Sequence, residues 1–299
     1  MMTRLARGWK VLGAVVVLAL LILAMVGLRG RGLWGLVQAK ISWASNTVKA
    51  VQDRDAISSD GDLTNIIFLH HSTGRNLVHQ GRVRELLSEA GYEFWDHDYN
   101  DEGLTRPDGT SVGYSYSVPD DNTDPDGLAR IFSQRRYSLP LNTFSGLMQH
   151  EVIVFKSCFP VSQITSEAQL AQYKTYYLQM RDVMDQYPDH LFIVLSPPPL
   201  NPAATDAEAA GRARAFAEWL GSDDFLSGQT NVVTFNFFDH LAEDDSSSAD
   251  YGTLREGYRR KERDSHPNEI ANQTIGPLLV DFVIDAIQSY RAYPVTGEP

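Results

Sequence analysis

Five short apolar runs, separated by segments of helical period, constrain this chain more than any other feature. "NIIFLH" (65–70), "YEFWDHDY" (92–99), "EVIVF" (151–155), "HLFIVLS" (190–196) and "NVVTFNFF" (231–238) are rich in β-branched and aromatic residues and read as strands. Val83, Leu86, Leu87 and Ala90 recur at helical spacing before Gly91. Tyr173, Tyr176, Tyr177, Met180, Val183, Met184 and Tyr187 stripe a second helix as core residues. Thr205 and Glu208 form a capping-box pattern ahead of Ala213, Phe216, Ala217 and Leu220. A last helix over 268–290 is expected to bury Ile275, Leu278, Leu279, Phe282, Val283 and Ile287, with Pro277 kinking it. Strands alternating with helices predict an α/β fold with a five-stranded, mainly parallel sheet covered on both faces. Its chemistry should gather at the carboxyl ends of the strands.

The folded domain is expected over 63–292, followed by a short tail at 293–299. Ahead of it, "VLGAVVVLALLILAMVGL" (11–28) carries no charge and, as a helix, is nearly long enough to match a hydrocarbon core of about 30 Å. With the basic leader Arg4, Arg7 and Lys10, residues 1–28 read as a cytoplasmic leader and an uncleaved single-pass anchor. The main domain is then expected outside the cytoplasm, joined by a linker over 29–62. Charge divides at the same place: through residue 49 there are seven Lys or Arg and no acid, whereas beyond it 19 basic residues face 38 acidic ones. Such a domain has no electrostatic reason to bind nucleic acid. The single cysteine, Cys158, excludes an internal disulfide framework.

The candidate chemistry lies in two short stretches. In "HHSTG" (70–74), strand alternation sends His70 and His71 to opposite faces, which disfavours a two-histidine metal site. Ser72 falls at the strand-to-helix turn, where a helix N-terminus favours developing negative charge; it is either a nucleophile or, like Thr73, a helix cap. In "RDSHPN" (263–268), Asp264 and His266 fit one turn at the sheet edge, where His266 can take the Ser72 proton and Asp264 can orient the imidazole. Asp126 is expected to cap the helix after it. The stretch 96–140 is long for a connection and is expected to form a lid or substrate-contacting loop.

These blocks resemble the SGNH or GDSL-type hydrolases, in which a serine after the first strand works with a late Asp and His on a flavodoxin-like three-layer sandwich. The resemblance covers roughly 63–292 and implies Ser72, His266 and Asp264 as a catalytic set needing no metal or organic cofactor. His71 stands where the family has aspartate, and one residue rather than two separates Asp264 from His266. Gly103 falls near the family's oxyanion-hole glycine. The stretch "VFKSCFPVS" replaces Gly-x-Asn, so Lys156, Ser157, Cys158 or Asn76 is left to supply the missing donor. Cys158 itself is expected to be a small core residue rather than a nucleophile.

With an external location, the resemblance implies an ester substrate such as an O-acetyl group on an extracytoplasmic glycan. An O-acyltransferase using the same site and a non-catalytic carbohydrate- or partner-binding domain are the alternatives.

Overall fold

The computed structural model describes Val48, Lys49, Ile57 and residues 60–113, 115–120, 124–261 and 263–292. The expected anchor at 11–28, most of the linker at 29–62, and the tail at 293–299 lie outside the described residues.

The apolar runs form β1 (Asn65–His70), β2 (Glu93–Asp98), β4 (Val152–Lys156), β5 (Leu191–Leu195) and β6 (Val232–Phe235). A further strand, β3 (Gly103–Thr105), makes the sheet six-stranded rather than five-stranded, in the order β3-β2-β1-β4-β5-β6. β3 pairs antiparallel with β2, and the other neighbours are parallel. Three residues are too few to show a period, and β3 exists through its pairing with β2.

Side-chain alternation divides the core into two layers. Ile67, Leu69, Ile153, Phe155, Phe192 and Val194 face α3 (Asp126–Phe132), α4 (Thr143–Leu147), α5 (Glu167–Met184) and α6 (Ala207–Leu220). Ile66, Phe68, Val154, Ile193 and Leu195 face α1 (Ser72–His79), α2 (Val83–Glu89), α8 (Phe237–Leu241) and α9 (Glu269–Ala292). The short α7 (Asp223–Leu226) follows α6 and buries Phe225. Helices thus cover both faces of the sheet.

Several local expectations change. α6 is capped by Asp206, whose carboxylate accepts from Ala209 N–H at 2.8 Å, so Thr205 lies one residue too early. Tyr187 lies beyond the end of α5, and Leu278 is on the outer side of α9, 42% exposed. Asp126 starts α3 but does not cap it; Asp124 accepts the Asp126 N–H at 3.0 Å, and Asp126 pairs with Arg130. The long 96–140 stretch holds β3 and α3 and so has secondary structure of its own.

Among the described residues, α9 alone is long and apolar enough to cross a bilayer. It nonetheless packs Ala271, Ile275, Leu279, Val283 and Ile287 into the core. It also meets the α1–α2 turn at glycines: a Cβ on Gly276 would sit 2.1 Å from the Gly81 carbonyl oxygen. This approach brings α9, and the loop that enters it, against the helix that begins at Ser72.

Candidate active site

β1 delivers the first functional segment to the carboxyl edge of the sheet. His71 is the extended N-cap of α1, and its carbonyl accepts the Gly74 and Arg75 N–H groups at 2.7 and 3.1 Å. Ser72 is therefore the first helical residue. Its hydroxyl meets His266 and His71, and the N-cap residue His71 makes no side-chain capping bond. The capping alternative fails for Thr73, whose buried hydroxyl has no hydrogen-bond partner among the described residues. Gly74 is required by packing, because a Cβ there would lie 2.4 Å from the Cβ of His70. Ion pairs fasten the two short helices to β2: Arg75 reaches buried Asp98 at 3.2 Å and also pairs with Asp101, while Arg84 pairs with buried Asp96.

The second segment lies in the loop entering α9. Asp264 Oδ1 accepts both the His266 backbone N–H at 2.9 Å and its Nδ1–H at 2.7 Å. One intervening residue is the spacing an Asx turn needs, and here the same oxygen closes the turn and orients the ring. His266 Nε2 then lies 2.9 Å from Ser72 Oγ. The Phe159 ring packs nearly perpendicular to the imidazole, with centroids 4.8 Å apart. Burial works to raise the Asp264 carboxyl, but hydrogen bonds from His266 and the nearby charges of His266 and Arg260 outweigh it and hold the group below the ordinary carboxylate value. Asp264 is thus a carboxylate acceptor at neutral pH.

Buried Asn201, in the segment after β5, anchors this loop. Its N–H donates to Ser265 Oγ at 3.0 Å, and its Nδ2 donates to the carbonyls of Lys261 and Asp264 at 3.1 and 3.3 Å. Asn268 caps α9 through Ala271 N–H at 3.0 Å, fixing the other side of the turn. The sequence places Asn268 at the start of the last helix without marking it as a cap, and does not single out Asn201. An Asn just ahead of a helical pattern is a usable capping signal; Asn201 also caps a local turn, its Oδ1 accepting from Ala203 N–H at 3.0 Å, but its hold on the Asp264 carbonyl acts across 63 residues and has no local signal.

The sequence assigns no role to His71. Its Nδ1 lies 3.0 Å from Ser72 Oγ and 3.5 Å from Cys158 Sγ, and Tyr99 packs edge-on against its ring. His70 turns away from Ser72, its Nε2 3.1 Å from Asp96, so the adjacent histidines diverge as strand alternation requires. Burial pushes His71 down to about 2, and the charges of Lys156, His70, His266 and Arg75 act in the same direction. The imidazole is neutral at physiological pH.

The remaining candidates occupy different ground. Gly103 opens β3 opposite Asp98, separated from β1 by β2. Asn76 lies one helical turn beyond Ser72 and is half-buried. Lys156 ends β4 fully buried, donating to the Ser157 carbonyl at 3.1 Å, and Ser157 Oγ meets Tyr177 Oη at 2.8 Å. Cys158 is a buried thiol with His71 beside it. Among the described residues, no group of three or more His, Cys, Asp or Glu side chains is arranged to hold a metal ion.

No family model matches the sequence, and no curated protein matches it. Two solved structures are similar in part. One, described as a "putative acylhydrolase" from Bacteroides fragilis, has 11% identity and a TM-score of 0.46, over 79% of this chain and 95% of that one. The other, described as a "putative platelet activating factor" from Streptococcus pneumonia, has 13% identity and a TM-score of 0.46, over 85% of this chain and all of that one.

Proposed function

We propose that the domain is a serine hydrolase of the SGNH type that cleaves a carboxylic ester. One observation carries this reading: Ser72 Oγ, His266 and Asp264 form a continuous hydrogen-bonded chain with links of 2.9 and 2.7 Å. The parallel strand order β2-β1-β4-β5-β6 supports a flavodoxin-like classification. In that arrangement the strand order reverses between β1 and β4, beside the loop carrying Ser72, where such sheets bind ligands.

Ser72 Oγ attacks the acyl carbonyl while His266 Nε2 takes its proton and Asp264 stabilises the imidazolium. The first N–H groups of a helix lack partners within it, so the Ser72 N–H is available to the developing oxyanion. We assign a second donor to the backbone over 156–158. His266 then protonates the leaving alkoxide, and water, deprotonated by the same nitrogen, resolves the acyl-enzyme. An O-acetyl ester on an extracytoplasmic glycan is the substrate class proposed here, with the 11–28 segment as the membrane anchor.

The test is labelling of the full chain by a fluorophosphonate probe, alongside turnover of a small acetyl ester. Wild type is expected to label and turn over, and Ser72→Ala to do neither. Absence of Ser72-dependent reaction in folded protein would leave a non-catalytic binding domain as the better reading.

A further inference from the structure

Two imidazoles approach Ser72 Oγ, and the proton inventory is set from the Asp264 end. A carboxylate accepts hydrogen bonds and donates none, so His266 Nδ1 carries the proton of its 2.7 Å bond to Asp264. His266 Nε2 then presents a lone pair and accepts the Ser72 hydroxyl proton across 2.9 Å. A hydroxyl has one proton to give. Toward His71 Nδ1, at 3.0 Å, Ser72 Oγ can therefore only accept.

The surroundings of His71 agree. A neutral imidazole carries a single N–H, on one nitrogen or the other. Nδ1 faces Ser72 Oγ at 3.0 Å, which toward it can only accept, and Cys158 Sγ at 3.5 Å, a weak acceptor or donor. Nε2 is buried with no hydrogen-bond partner among the described residues. Placing the proton on Nδ1 satisfies it and leaves only a lone pair unmatched, whereas the other tautomer buries an unmade donor at a cost.

We propose that His71 is a positioning residue of the Ser72 site, donating its Nδ1–H to Ser72 Oγ and so turning the hydroxyl proton toward His266. This rests on the serine-hydrolase reading above. The bond strengthens as Oγ loses its proton, because a hydrogen bond to an ionised oxygen is stronger than one to a neutral oxygen. It acts again when the same oxygen departs from the acyl-enzyme. No proton leaves His71 at any step. The transferred proton passes from Oγ to His266 Nε2 and on to the leaving alkoxide; in deacylation it passes from water to His266 and back to Oγ.

The test compares wild type, His71→Leu and His71→Asn as full chains in detergent, reading kcat, KM, the fluorophosphonate labelling rate and Tm. His71→Leu is expected to lose about 10- to 100-fold in kcat, less than the roughly 100- to 1000-fold of removing an oxyanion-hole donor, with KM nearly unchanged. His71→Asn, whose amide N–H can stand in for Nδ1–H, is expected to recover most of the loss. Nitrogen NMR of histidine-labelled wild type should show His71 protonated on Nδ1, a result that depends on no variant folding. A His71→Leu enzyme as fast as wild type, or a His71 protonated on Nε2, overturns the proposal and leaves the hydrolase reading standing. A wild type without Ser72-dependent reaction overturns both.

Discussion

His266 and His71 approach the same hydroxyl oxygen at nearly the same distance, 2.9 and 3.0 Å, from two unlike regions of the molecule. His266 comes from a loop at the sheet edge, 28% exposed, with a carboxylate on its far nitrogen. His71 follows β1 in the interior, 3% exposed, with no partner on its far nitrogen among the described residues and with positive charge around it. A general base must carry a proton, and the positive charge that comes with it, for part of each cycle. Asp264 stabilises that charge on His266, whereas burial and the charges of Lys156 and Arg75 oppose it on His71. Distance to the nucleophile does not distinguish the two rings; what lies behind each one does.

The strongest way to break this contrast is to remove His266. His266→Ala is expected to lower kcat for an acetyl ester by about 10³-fold, within the range for deleting a general base. His71 remains in place in that variant. Retention of a tenth or more of wild-type kcat would mean that the interior imidazole can replace the loop imidazole, and the contrast would fail.

A smaller loss is expected at Asp264, which acts through His266 and holds its tautomer. In Asp264→Asn the amide can donate to Nδ1, favouring the tautomer that puts the proton on Nε2, where it cannot accept from Ser72. The expected fall in kcat is about 10²-fold, less than for His266→Ala because a minor fraction of the imidazole still holds the tautomer that can accept from Ser72. Asp264→Ala should retain more activity than Asp264→Asn if tautomer control is the dominant role. Similar values for the two would assign Asp264 mainly to shaping the loop, where it also accepts the His266 backbone N–H at 2.9 Å.

The two regions also differed in how readily the sequence disclosed them. The strands of the interior announce themselves, since runs such as "FIVL" alternate between both packed faces and can be little else. β3 does not, because "GLT" acquires its strand geometry from β2. Ser72 and His266 are 194 residues apart, and the expectation that they meet came from their positions at sheet-edge loops and a family resemblance. His71 was inaccessible to that route. Its neighbour Cys158 arrives from β4, its aromatic neighbour Tyr99 follows β2, and its neutrality depends on burial, so each element of its role is tertiary. The same holds for the amide group with which Asn201 anchors the loop, whose acceptors on Lys261 and Asp264 lie 60 or more residues away. Local pattern identified the groups able to do chemistry and missed those that hold them in place.

The mildest test of the contrast concerns stability. In the unfolded chain His71 titrates near its ordinary value of 6.5, whereas in the fold burial first, and neighbouring positive charge second, hold it down to about 2. Above pH 6.5 both states are neutral there, and the group contributes no pH dependence. As pH falls below 6.5 the unfolded chain takes up a proton that the folded chain refuses, so this site favours unfolding increasingly down to about pH 2. At pH 5 the accumulated penalty is about 2 kcal/mol for this one group. Urea unfolding of wild type and His71→Asn at pH 7 and pH 5 isolates it, because Asn does not titrate. Wild type should lose about 2 kcal/mol more than the variant between the two pH values. Equal losses would show that His71 takes up its proton in the folded state near its ordinary value. The interior imidazole could then carry charge beside Ser72, and the two histidines would differ far less than their surroundings imply.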